Sequence, residues 1–135
     1  IGIFILRISL ALPMLLAHGY GKILNYDQLT QHFPDPLGIS NFVSANLIIF
    51  AEFFCALFIV LGIFTRLFSV PLVIAMAVAF FIFHGTDPFT KKELSFLYMM
   101  GFLTLTFCGG GCFQLGRFIP IKTSSKMGQF FLEKK

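Results

Sequence analysis

Seven ionisable side chains lie inside or at the ends of long apolar stretches: Arg7, His18, Lys22, Glu52, His84, Asp87 and Glu93. A charge within a membrane-length apolar segment is costly and by default points to function. Arg7 and His18 are eleven residues apart, which is roughly three helical turns and returns them to nearly the same face. Lys22 follows one turn beyond His18. In the second stretch Glu52, Cys55, Ile59 and Gly62 share a helical face, and in the fourth Glu93, Leu97, Met100, Thr104 and Cys108 share one. Imidazole and carboxylate groups exchange protons, so His18, His84 and Glu93 are the candidate catalytic residues. Lys22 and Asp87 are the candidate ligand-binding groups at the rim of the same cluster. Arg7 and Glu52 are expected to form a buried ion pair, which serves either helix register or function.

Each of these residues also has a plainer reading. A histidine near a helix end is commonly a hydrogen-bonded structural residue, and Lys22, Lys91 and Lys92 can snorkel to headgroups. His18, His84 and Glu93 imitate a two-His, one-carboxylate set. They come from three separate segments without an HExxH-type motif, so no metal site is expected. Cys108 and Cys112 are spaced CxxxC rather than CxxC. No feature of that stretch marks a lowered thiol pKa, and buried Cys55 behaves as a small apolar residue. Gly109, Gly110 and Gly111 are not followed by the Lys-Ser/Thr of a phosphate loop and are expected to end a helix.

The elements that position these groups follow from composition. Of 135 residues, 57% are hydrophobic and 12% charged, about half the charged share of a soluble domain. So short a chain cannot hide that much apolar surface in a soluble core, which excludes an ordinary soluble enzyme and a disordered tail. Its net charge of +4 does not imply nucleic acid, because the basic residues stand at the ends of apolar segments. A spanning helix needs roughly 20 apolar residues. Four segments qualify, at about 1–21, 41–64, 67–85 and 93–112. The expected fold is all-α, an antiparallel four-helix transmembrane bundle over residues 1–112, with a basic, interfacial cytoplasmic tail over 113–135. No internal repeat is evident. Ala17-His18-Gly19 loosely fits a cleavage site, but Arg7 interrupts the apolar run. The sequence opens at Ile1 without an initiator Met, so upstream residues are expected.

Arg66, Arg117, Lys122, Lys126, Lys134 and Lys135 fall on one side of the bundle, against Lys22, Lys91 and Lys92 on the other. The positive-inside rule then places both termini in the cytoplasm, in a bacterial inner membrane. The outer loop around Pro34-Asp35-Pro36 and Gly38 is turn chemistry rather than helix. Tyr20 and Tyr26 suit an interfacial belt, and the tail's lysines are drawn to anionic headgroups. With spans of equal extent, Glu52 lies roughly 15 Å and Arg7 roughly 20 Å below the outer edge. The expected site is thus a polar funnel, wide at the outer face and closed by the Arg7–Glu52 pair.

Taken together these residues resemble the DoxX family of small four-helix membrane proteins, over almost the entire chain. The resemblance rests on Arg7, His18-Gly19-Tyr20-Gly21-Lys22, Phe33-Pro34-Asp35-Pro36-Leu37-Gly38, Glu52, Leu61-Gly62-Ile63-Phe64-Thr65-Arg66, His84, Asp87-Pro88-Phe89 and Lys92-Glu93-Leu94. Family members often close with Gly-Pro-Gly, an aromatic and Ser-Leu-Asp. Here the stretch from Gly109 to Gly116 lacks the terminal Asp, so no role of that residue carries over. The resemblance implies a link to quinone-dependent oxidation and to membrane redox complexes. Three functions are in competition: an accessory subunit of a larger redox-associated membrane complex, a quinone-binding oxidoreductase subunit, and a carrier for a small molecule or proton. No haem, flavin or iron–sulfur motif is present, so no intrinsic cofactor is evident and electrons would come from a partner. The expected partners are membrane lipids and other membrane subunits, with no nucleic acid.

Overall fold

The computed structural model describes residues 1–118 and 125–132, apart from the side chain of Arg117. It is all-α, with no strand among the described residues. The long helices are α1 (Gly2–Leu24), α3 (Asn41–Leu61), α4 (Thr65–Phe83) and α5 (Phe89–Cys108). Two short helices are α2 (Tyr26–His32) and α6 (Lys126–Phe131). The four long helices form the expected antiparallel bundle, each touching the next in the cyclic order α1, α3, α4, α5. Three of them, α1, α3 and α4, are long and apolar enough to cross a membrane. The 20-residue α5 is as long, but opens with Lys91, Lys92 and Glu93.

The core is made of Ala11, Met14, Cys55, Ala56, Ile59, Leu72, Met76, Met99, Phe102 and Leu105. The core also contains buried small residues, Ala11, Ala51 and Ala56, of the kind that lets membrane helices pack closely. The α3–α4 turn lies earlier than the expected spans placed it, at Gly62–Phe64, so that Thr65 and Arg66 already belong to α4. Gly62 ends α3 at φ 70°. Its N–H bonds to Ile59 O at 2.9 Å, and the Ile63 N–H bonds to Phe58 O at 2.9 Å. This is a Schellman cap, which needs the left-handed conformation that glycine adopts freely.

The loop after α1 differs from the expectation of turn chemistry throughout. Asn25 breaks the helix, α2 then runs to His32, and only the Phe33–Ser40 stretch is irregular. Phe33 is extended (φ −65°, ψ 135°), as the residue before a proline must be. Three helices carry π-helical segments: Met14–Tyr20 directly after Pro13, Phe50–Cys55 around Glu52, and Ala79–Phe83. Pro13 removes one helical hydrogen bond, and the strand of hydrogen bonds beyond it resumes in the wider register. At the far end of the chain α6 lies against the start of α4. The Arg66 guanidinium sits 4.1 Å over the Phe130 ring. The expected headgroup contacts of Lys122, Lys134 and Lys135 lie outside the described residues.

Candidate functional site

Helices α1 and α3 meet where Gly19 faces Glu52. A Cβ at Gly19 would overlap the Glu52 carbonyl and come within 2.8 Å of Phe53 Cα, so glycine is required for this approach. The contact fixes which side chains share a level. Lys22, one turn beyond Gly19, reaches Glu52, and its Nζ donates to Glu52 Oε2. Glu52 is 3% exposed, whereas the Lys22 side chain keeps 22% of its surface. The cation therefore retains partial access to the polar end of the bundle while neutralising a buried carboxylate.

The same contact overturns the expected Arg7–Glu52 pair. Arg7 lies twelve residues before Gly19, roughly 18 Å along the helix, and so falls level with the α3–α4 turn instead. The sequence estimate assumed helices flush at their ends, but α3 is displaced along α1. Arg7 is 2% exposed. Its Nη1 donates to Gly110 O at 2.8 Å and its Nη2 to Phe113 O at 2.6 Å. A Cβ at Gly62 would lie 2.6 Å from Arg7 Nη1. Arg7 thereby fastens the segment after α5 across one end of the bundle.

A cavity of about 490 Å³ opens beside the Lys22–Glu52 pair. Phe50, Ala51 and Glu52 of α3 form one wall, and Ile74, Ala75, Ala79 and Phe83 of α4 form another. Phe33, Pro36, Leu37 and Ile39 of the loop before α3 cover it, and Lys22 completes the lining. Apart from Lys22, Glu52 and Ser44, all the lining side chains are apolar. The covering loop is held by Asp35. Asp35 Oδ1 accepts from Ile39 N–H at 3.0 Å and from Ser44 Oγ at 2.9 Å, and Oδ2 accepts from Ser40 N–H at 2.7 Å. The Ser40 amide, more than the other donors, holds the Asp35 carboxyl below its usual range.

The other sequence candidates are distributed differently. His84 Nδ1 lies 2.8 Å from Asp87 Oδ2, and Lys91 Nζ is 4.0 Å from Asp87 Oδ1. The His84 hydrogen bond, assisted by Lys91, holds Asp87 below the usual carboxylate range. The His18 ring stands edge-on to Tyr98, with centroids 5.9 Å apart. Glu93 is exposed. Among the described residues no ion pair joins Glu93 to either histidine. No group of three His, Cys, Asp or Glu among them could hold a metal. None of His18, His84 and Glu93 lines the cavity. Cys55 is buried, while Cys108 and Cys112 are exposed, and all three are free thiols.

Sequence reasoning identified Lys22 but missed its partner, and it missed Asp35 as the clasp of the covering loop. The signal for the first lay in Gly19, placed one turn before Lys22 on the side that meets α3. The DoxX family model matches residues 2–85. That stretch contains α1 to α4 with Arg7, Lys22, Asp35, Glu52 and His84, and leaves out Asp87, Glu93 and all of α5. No curated protein and no solved structure matches the chain. With more than half its length covered by that model, this integral membrane protein belongs to the DoxX family.

Proposed function

We propose that the protein is a small membrane subunit of a redox-associated assembly and holds a quinone-type ligand in the cavity between α3 and α4. The observation that carries this reading is an apolar cavity with one ion pair in its wall. Its size of about 490 Å³ falls among small-molecule sites, which are mostly apolar with a few placed polar groups. The phenyl and aliphatic walls suit an isoprenoid tail. Lys22 Nζ is a donor for a carbonyl oxygen, and the Glu52 carboxylate is an acceptor for a hydroxyl proton. A quinone supplies two-electron chemistry when bound, and the protein supplies orientation, a proton acceptor and exclusion of water. Electrons would pass to or from a partner subunit docked on the outward apolar faces, for example at Phe81, Leu97 or Phe107. In this reading both termini face the cytoplasm of a bacterial inner membrane, on the basic side of the chain.

The test is binding of decylubiquinone to the protein in lipid nanodiscs. Ala75→Phe fills the cavity from α4 and should weaken binding at least about tenfold, the equivalent of about 1.4 kcal/mol, with helicity unchanged. Replacing His18 and His84 together with alanine should leave binding intact. Equal affinity in wild type and Ala75→Phe would remove the cavity from consideration.

A further inference from the structure

The Lys22–Glu52 pair combines a primary amine, a carboxylate in contact with it and an apolar chamber beside both. These are the requirements for an amine to condense with an aldehyde. We propose that Lys22 forms a reversible imine with long-chain aliphatic aldehydes that enter the cavity from the lipid, with Glu52 as proton carrier and counterion. The inference uses the cavity assigned above but does not depend on quinone binding.

The steps balance. Lys22 Nζ passes one proton to Glu52, and the free amine attacks the carbonyl carbon, forming a C–N bond. A proton moves from that nitrogen to the former carbonyl oxygen, giving a neutral carbinolamine. Glu52 returns its proton to the hydroxyl, which leaves as water, and the C=N bond forms as an iminium. One positive charge stands on Lys22 before and after, so the buried Glu52 carboxylate is compensated at both ends of the sequence. Acylation of the same amine would erase that charge and strand a carboxylate that is 3% exposed, which is strongly unfavourable. The site therefore selects aldehydes over acyl donors. Condensation expels water, and walls such as Leu37, Ile74 and Phe83 exclude it and hold the alkyl chain. An apolar pocket, which disfavours the ammonium form, is a recognised route to an activated amine, and Glu52 stands where it can take the proton. Lys91, with 66% of its side chain exposed, has no such chamber.

The experiment incubates the protein in nanodiscs with hexadecanal, adds sodium cyanoborohydride to reduce any imine, and maps adducts by peptide mass spectrometry. The expected result is a secondary-amine adduct on Lys22 that forms well before any on Lys91, Lys92 or Lys126. It should be suppressed by hexadecanol, which competes for the chamber but carries no carbonyl. Lys22→Arg keeps the ion pair and should remove the adduct. Glu52→Gln should slow its formation by about 10²-fold, the usual contribution of a positioned acid–base group. Labelling of Lys22 no faster than Lys91, or unaffected by hexadecanol or by Ala75→Phe, would overturn the inference. Decylubiquinone binding measured on the same samples separates the two readings. Intact quinone binding without a Lys22 adduct defeats imine formation alone, and an adduct without quinone binding defeats only the redox reading.

Discussion

Replacing Lys22 with methionine should strand Glu52, and the size of that loss follows from burial. Methionine preserves the apolar stem but removes the ammonium that Glu52 accepts from. Glu52 is 3% exposed, and removing one partner of a buried pair costs about 3–5 kcal/mol, because the remaining charge is left uncompensated. An exposed pair, by contrast, would lose at most about 1 kcal/mol. The double variant Lys22→Met, Glu52→Gln carries no charge at either position and should recover most of the loss. Reversible unfolding in mixed micelles compares the wild type with the two variants. A Lys22→Met deficit below about 1 kcal/mol, or one that the second substitution does not relieve, would show that the pair does not provide the compensation assigned to it.

Three further outcomes follow from the geometry. Gly19→Ala should destabilise the bundle by about 1–3 kcal/mol through overpacking against the Glu52 backbone. Gly21→Ala, where a Cβ meets nothing within 4 Å, should be neutral or stabilising by about 0.4–1 kcal/mol, and thermal unfolding of the two variants checks the contrast. Asp35→Asn should speed amide exchange at Ile39 and Ser40. In the wild type the lowered Asp35 pKa means the clasp is fully present above pH 4 and is lost as pH falls below it, which hydrogen exchange across pH 3–6 measures. Arg7→Met should remove the bonds to Gly110 O and Phe113 O at about 1.5–3 kcal/mol for each charge-assisted bond lost, and should raise protease cleavage within residues 109–116.

The architecture was legible because it rests on what is absent from the sequence. Long apolar stretches with few charges admit lipid as solvent and, at this length, the helix as backbone solution, although the spans read as 41–64 and 67–85 left the α3–α4 turn at Thr65-Arg66 where Gly62 in fact ends α3. The pairing of charges was not legible in the same way, because it depends on how far one helix is displaced along another. Counting residues from the apparent ends placed Arg7 beside Glu52. The displacement is set instead by the single close approach at Gly19, whose meaning appears only once Glu52 is seen against it. Lys22 was recognised as a polar group at a helix end, yet its long stem also lets it reach one turn away, and sequence does not say in which direction. The irregular Pro34–Ser40 stretch was readable as turn chemistry, but its role as the cover of a cavity depends on Asp35 gathering donors from Ile39, Ser40 and Ser44.

The π-helical segments connect these observations. Wider, π-type helical turns are rare and frequently stand at functional sites. Here the segment Phe50–Cys55 carries Glu52 itself, Ala79–Phe83 contributes Ala79 and Phe83 to the opposite cavity wall, and Met14–Tyr20 ends two residues before Lys22. A straight α-helix of the same residues would rotate each later side chain away from its observed direction. The helices are therefore least regular where the ion pair and the cavity are built, and most regular at the Arg7 end, where backbone carbonyls and a buried guanidinium hold the bundle closed. On the proposed function one end of the bundle serves stability and the other a ligand, and the Gly19–Glu52 contact, which sets the displacement of α3 along α1, places Lys22 at the second rather than the first.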